Sequence, residues 1–377
     1  MIRLSQKYYF FVIIFSFLLS PVQAQILQDN EVQQWIHEGL DKMYNFEFAE
    51  ANPIFEKIRQ RYPQHPVYPM LKSLETTWKN IPIGENKNVI ATHRAYLNEV
   101  IKRAEVLLDK NDKDPEGVFF AMAAHGFLAL SHSESDEMTS AVNEARKTYG
   151  HLKDGMKMLN QYADFYSPVG VYNYYVVKYP ETHPVVKPFM IFFADGDKAL
   201  GLKQLEIGSQ KGIFTKVEAL FFLLHIYIKH EYQAGKALAC TQQLITRYPN
   251  NIIFAMRHAE MLLANGRYDE AEPFITQVGQ NKDKVFQSTV AVFNGIIQEK
   301  QTKNLPQAKI YYLKATTMNA LNVRYNNDFL AMAYAGLARI AITEGKKDIA
   351  KANYKKCLEL AEYDSTIAEA KNYMKKN

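Results

Sequence analysis

The residue clusters in this chain that could do chemistry mostly fail on spacing. His37-Glu38 and His230-Glu231 each open the zinc-protease helix pattern H-E-x-x-H, and neither is followed by the second histidine. There is no G-x-S-x-G nucleophile elbow and no phosphate-binding P-loop. His125, His183, His225 and His258 are scattered, and the two cysteines, Cys240 and Cys357, have no metal-ligand spacing. In an oxidising compartment an even pair of cysteines invites a disulfide. The reading favoured here is two separate buried side chains inside helices. Asp195 and Asp197 lie close in "ADGDKALGLKQL", but the calcium-loop pattern D-x-[DN]-x-[DN]-G is absent. Asp197 is expected to cap a helix, since its carboxylate can accept from free first-turn amides. No catalytic residue, metal or cofactor is therefore assigned. Two acids meeting in space for glycoside hydrolysis stay as an alternative.

The densest concentration of recognition-type side chains is "VYNYY", Val171 to Tyr175, inside a tyrosine- and proline-rich stretch from Ser167 to Leu205. Tyr172, Tyr174 and Tyr175 cannot share one helix face, so at least one should line a surface. Tyrosine favours recognition surfaces. Tyr172, Asn173 and Tyr174 are a candidate ligand edge, against the plainer reading of core and groove lining.

The elements that would position these residues are helices throughout. The chain has 377 residues and a net charge of +5. It opens with Arg3 and Lys7, a twelve-residue apolar run from Tyr8 to Leu19, and Val22 and Ala24 placed for cleavage. That is a secretory signal peptide over residues 1–24, because a spanning helix needs about 20 apolar residues. Without it the mature chain carries about +3, with basic residues scattered rather than striped, which argues against a nucleic-acid partner. Export to the periplasm or outer-membrane periphery of a diderm bacterium follows as the expectation, with peripheral membrane association open.

Trp35, Gly39, Ala51, Phe55 and Pro63 fall at the intervals of the 34-residue tetratricopeptide pattern, with Glu38 and Lys42 departing from its Leu and Tyr slots. Two helices must pack closely, so Gly39 and Ala51 are small where they approach. Pro63 stops the second helix. The spacing returns at Ala237 and Ala271, 34 residues apart, then stretches to 37 at Ala308 and 42 at Ala350. His225 and His258 occupy packing slots of adjacent repeats and are expected in the core. The expected fold is all-α, a right-handed superhelical solenoid of tetratricopeptide-like hairpins. Its parts are an N-terminal hairpin over 25–82, an irregular helical block over 83–190 and a repeat array over 191–377. Asn80–Asn88 is the turn-rich boundary, and Met318–Asp328 a loop insertion.

Gly170, Tyr172 and Asn173, then a proline-containing link, then Gly196-Asp197 and Gly201-Leu202, form an unusual motif order. It resembles the tetratricopeptide-repeat-39, or inclusion-body-clearance, family and its bacterial exported relatives, over roughly Phe119 to Phe274. The resemblance implies a helical-repeat fold and brings no agreed enzymatic activity to inherit. The signal peptide departs from the cytosolic members, so their roles are not carried over.

The functional expectation is a non-enzymatic module that binds a protein or peptide partner in its concave groove, as solenoids present extended surfaces. Repeat register places Phe222, Ile226, Lys229 and His230 from one unit, and Met256 and Glu260 from the next, on that groove. The alternatives are an envelope scaffold docked to a membrane complex and a carbohydrate-binding or hydrolytic protein using the tyrosine-rich stretch.

Overall fold

A computed structural model describes residues 26–81, 86–182, 184–318 and 324–376. The segment over 1–24 expected to be a signal peptide, His183, the centre of the Asn80–Asn88 boundary and the centre of the Met318–Asp328 insertion lie outside these residues. Among the described residues there are seventeen α-helices, four 3-10 segments and no strand. The helices run α1 (Asn30–Tyr44), α2 (Phe48–Arg61), α3 (Val67–Lys79), α4 (Lys87–Lys110), α5 (Pro115–Glu134) and α6 (Met138–Met158). They continue as α7 (Tyr166–Thr182), α8 (Lys198–Lys211), α9 (Lys216–Lys229), α10 (Ala234–Arg247), α11 (Ile252–Ala264) and α12 (Tyr268–Gly279). The last five are α13 (Lys284–Lys300), α14 (Leu305–Met318), α15 (Asn327–Thr343), α16 (Lys347–Leu360) and α17 (Asp364–Lys376).

Each odd-numbered helix from α1 to α15 packs along the even-numbered helix that follows it, and successive pairs stack. This is an all-α solenoid of tetratricopeptide-like hairpins. The repeat logic is visible in the turns. Phe46, Asp136, Tyr232, Gly266, Lys303 and Gly345 all adopt positive φ, and each sits between the two helices of a pair. From Tyr232 onward these turns fall at intervals of 34, 37 and 42 residues. Helix starts are fixed by side-chain caps from Asp29, Asn86, Asp114, Asp197, Asn251 and Asp283, which satisfy amides that have no partner inside the helix.

Small residues set how closely the helices approach. A Cβ on Gly39 would lie 2.6 Å from the Phe55 ring, which is the packing expected from the first repeat's spacing. Gly295 of α13 and Gly336 of α15 both receive Tyr312 of α14, with Cβ positions 2.5 and 2.3 Å from its ring. The stretch over 83–190, which lacks clean repeat spacing, also folds as helix pairs, with longer helices of 24, 20 and 21 residues in α4, α5 and α6. Helices α7 and α8 pack as one pair, so a boundary between 190 and 191 falls inside a hairpin.

The array closes on itself. Trp78 of α3 meets Phe254 of α11 at 5.4 Å and Phe221 of α9 at 6.1 Å between ring centroids. Tyr248 donates to Asp41 at 2.8 Å, and the Asn251 amide donates to the Tyr44 carbonyl at 2.7 Å. One continuous apolar core therefore runs from Ile26 to Ile340, with a smaller one around Tyr354, Cys357 and Ala370. No helix of the described residues is long and apolar enough to cross a membrane.

Candidate functional site

The six groove residues named from repeat register lie on or at the end of α9 and on α11, and most of them are not open to solvent. Ile226 and Met256 are fully buried, and Glu260 is buried as well. Phe222, 39% exposed, is the one of the six that is broadly open to solvent. The expectation of an open groove is corrected by the chain's own C-terminal region, which lies over this face.

The residues covering the face come from the start of α15 and from the link between α16 and α17. Asp328 accepts an ion pair from Lys229 at 3.2 Å, and Glu362 closes on the same ammonium. The Tyr363 hydroxyl donates to Glu260 at 2.6 Å, and its ring lies 5.7 Å beneath the Lys229 ammonium. Asp364 pairs with Lys178 of α7 at 2.9 Å and approaches His230 Nδ1 at 3.5 Å. Arg257 binds Glu260 at 2.9 Å and lies over the Phe329 ring at 4.9 Å. Ala361, which ends α16, is extended at φ −72° and ψ 130°.

Burial sets the electrostatics. It pushes the Asp328 carboxyl up to about 6, against the pull of Lys229. Burial lowers the His230 imidazole, opposed by the nearby Asp364. Burial, then the charge of Glu260, raises the Tyr363 phenol far above its ordinary range. Arg257 stays protonated: burial works against its charge, and Glu260 outweighs it.

The tyrosine-rich stretch is mainly a helix crossing. Gly170 of α7 and Gly201 of α8 face each other so closely that a Cβ on Gly201 would sit 2.7 Å from the Gly170 carbonyl oxygen. Gly208 lies against Ser167 in the same seam. Asp197 caps α8 as expected, accepting from Ala199 and Leu200 at 2.8 and 3.1 Å. Tyr174 is fully buried, donates to Glu231 at 2.6 Å and stacks on His230. Asn173 is buried and donates to Gln204 at 2.7 Å. Tyr172 stacks on Tyr149 at 5.4 Å and donates to the Ala194 carbonyl at 2.6 Å. Of the three candidate ligand-edge residues, two are thus enclosed, and the third spends its hydroxyl and one ring face internally.

His225 and His258 lie in the array's interior, with His225 against Phe221 at 4.4 Å and His258 bound to Thr241 at 2.9 Å. Cys240 and Cys357 are free and buried. Among the described residues no group of three or more His, Cys, Asp or Glu side chains is placed to hold a metal. Sequence register missed Arg257, Asp328, Lys178 and the Glu362-Tyr363-Asp364 run. One signal was present: an arginine inside the apolar helix "IIFAMRHAEMLLA" requires a buried counter-charge.

No family model matches the chain, and no curated protein matches it. Among solved structures it is similar to the C-terminal part of a TPR repeat-containing protein from Cytophaga hutchinsonii, at 15% identity over 90% of this chain and 99% of that one, TM-score 0.26. It is also similar to a human IFIT1 dimer with PPP-AAAA, at 13% identity over 88% and 95%, TM-score 0.36. Yeast Tom70 matches at 11% identity over 93% and 96%, TM-score 0.26. Such superpositions are partial, and what those proteins bind stays with them. By its own repeat spacing and stacked helix pairs, the chain is a tetratricopeptide-like helical-repeat protein.

Proposed function

We propose that this chain is an exported, non-enzymatic interaction module that takes an extended segment of a protein partner on the concave face of α9 and α11. The observation that supports this reading is that the face holds three consecutive residues of the chain itself, Glu362 to Asp364 at the start of α17, through side chains on α7, α9 and α11. A surface that grips an acidic, an aromatic and an acidic side chain in succession has the chemistry of a peptide site. Export through residues 1–24, and any peripheral association with an outer membrane, belong to the same reading. N-terminal sequencing of the protein from its own cells should begin at Gln25.

The test is crosslinking and affinity purification of the tagged chain from its own cell envelope, beside a Phe222→Asp variant. Phe222 is exposed at the margin of the face, so the fold should tolerate the change. A partner recovered with the wild type and lost with the variant supports the site. A partner recovered equally with both contradicts it and favours a scaffold that docks through another surface.

A further inference from the structure

The segment over the concave face indicates what chemistry the face prefers. Three consecutive side chains reach three helices: Glu362 goes to Lys229 on α9, Tyr363 to Glu260 on α11, and Asp364 to Lys178 on α7. The Arg257 guanidinium also lies 3.4 Å from the Tyr363 hydroxyl. The face thus places Lys178, Lys229, Arg257 and His230 around one tyrosine slot, with Glu260 paired to Arg257 and Asp328 to Lys229.

The internal occupant is an incomplete fit. Arg257 is only 6% exposed, yet its Nε has no hydrogen-bond partner among the described residues, and neither has the Tyr325 hydroxyl. Both are donors, and Arg257 reaches the tyrosine slot through Nη1, 3.4 Å from the Tyr363 hydroxyl. A buried donor without an acceptor is unfavourable, so an occupant with one more carboxylate or carbonyl in reach would bind better than the native link. Beyond Asp364, helix α17 buries Ala370 alone among its described residues; Glu369 accepts from Arg339 at 2.8 Å and from the Tyr354 hydroxyl at 2.9 Å, and Tyr373 lies 5.0 Å from the Tyr354 ring. Arg339 would keep Glu299 at 2.6 Å if α17 moved away.

We propose that the concave face recognises an acidic, tyrosine-bearing segment of a partner protein, in place of its own Glu362-Tyr363-Asp364, and that this segment displaces α17 as it binds. The inference rests on the reading of this face as a partner site and adds the partner's chemistry. Self-occupancy makes the free site a minor population. If the link covers the face for nine-tenths of the time or more, apparent affinity falls about tenfold or further.

The probe is a fluorescent peptide with the sequence of residues 358–367, LELAEYDSTI, titrated by anisotropy into the full mature chain. It should bind a Tyr363→Ala chain about tenfold or more tightly than the wild type, because that chain has lost the anchor of its own link. Adding Lys229→Glu to Tyr363→Ala should abolish binding, as should lysines at both acidic positions beside the peptide's tyrosine. Circular dichroism melts check folding, and Glu362→Gln with Asp364→Asn repeats the test without touching the buried tyrosine. Equal binding to both chains, no binding to either, or binding that survives Lys229→Glu overturns the proposal. If the peptide fails while Phe222→Asp still loses the envelope partner, the partner site stands and its acidic-tyrosine specificity is wrong.

Discussion

At the residue scale, two acids decide different things. Glu260 neutralises Arg257 inside the core of the concave face and receives the Tyr363 hydroxyl. Glu260→Ala leaves a buried guanidinium without its counter-charge, and it should cost about 3–5 kcal/mol, read by urea unfolding. Glu218 is the second. One oxygen receives the Tyr44 hydroxyl, and the other is shielded from solvent with no partner among the described residues. Burial raises its carboxyl from 4.5 to about 7. Between those values the folded chain holds a proton that the unfolded chain has released, so this group's contribution falls as pH rises from 4.5 to about 7. His258, lowered by burial to about 4, acts oppositely over the acid side of that window. The difference between the wild type and Glu218→Gln isolates the carboxyl. The variant should gain stability relative to the wild type as pH rises from 5 to 7, and parallel pH profiles would contradict this assignment.

At the element scale, the seam between α7 and α8 is the part most open to a single atom. Gly201→Ala places a methyl group 2.7 Å from the Gly170 carbonyl oxygen, and backbone rather than a flexible tip must move. The expected loss is about 1–3 kcal/mol in thermal or urea unfolding; unchanged stability would show that the crossing is looser than described. This seam also explains the unusual motif order. Gly170, Gly201 and Gly208 are there for close approach and Asp197 for the cap, so the motif was legible as a structural join. The repeat hairpins were legible too, because alanines at fixed intervals report where helices touch. The turns were less so. Only Gly266 and Gly345 advertise the left-handed turn, while Phe46, Asp136, Tyr232 and Lys303 adopt the same conformation without a glycine to signal it. The cost of that conformation is small enough for neighbouring packing to impose it.

At the scale of the whole molecule, the sequence showed which side of each helix is apolar but not how far the array bends. Register placed Ile226, Met256 and Glu260 on a groove; the structure buries all three and brings Tyr363 onto Glu260, which register left unseen. The closure depends on contacts between residues far apart in the chain: Trp78 with Phe254, Tyr248 with Asp41, Lys229 with Asp328. No local periodicity encodes such pairs. The same distance in sequence hid Tyr363, whose short link looked like an ordinary helix connection. The outcome is a repeat array in which Ile226, Met256 and Glu260 are buried, Asp328, Glu362 and Tyr363 of the C-terminal region pair with Lys229 and Glu260, and Phe222 is left exposed.

The central claim is that the C-terminal link lies in the concave face in solution, and zero-length carbodiimide crosslinking tests it directly. The reagent joins a lysine to a carboxylate only when they already touch. In monomeric protein, mass spectrometry should find Lys178 joined to Asp364, which lie 2.9 Å apart, and Lys229 joined to Glu362 or Asp328. Lys309 and Glu344, 2.8 Å apart on the exposed surface, serve as the control. The control crosslink together with both concave-face crosslinks is the predicted result. The control crosslink with neither of the others would mean that the link does not occupy the face, and the account of a filled peptide site would be wrong.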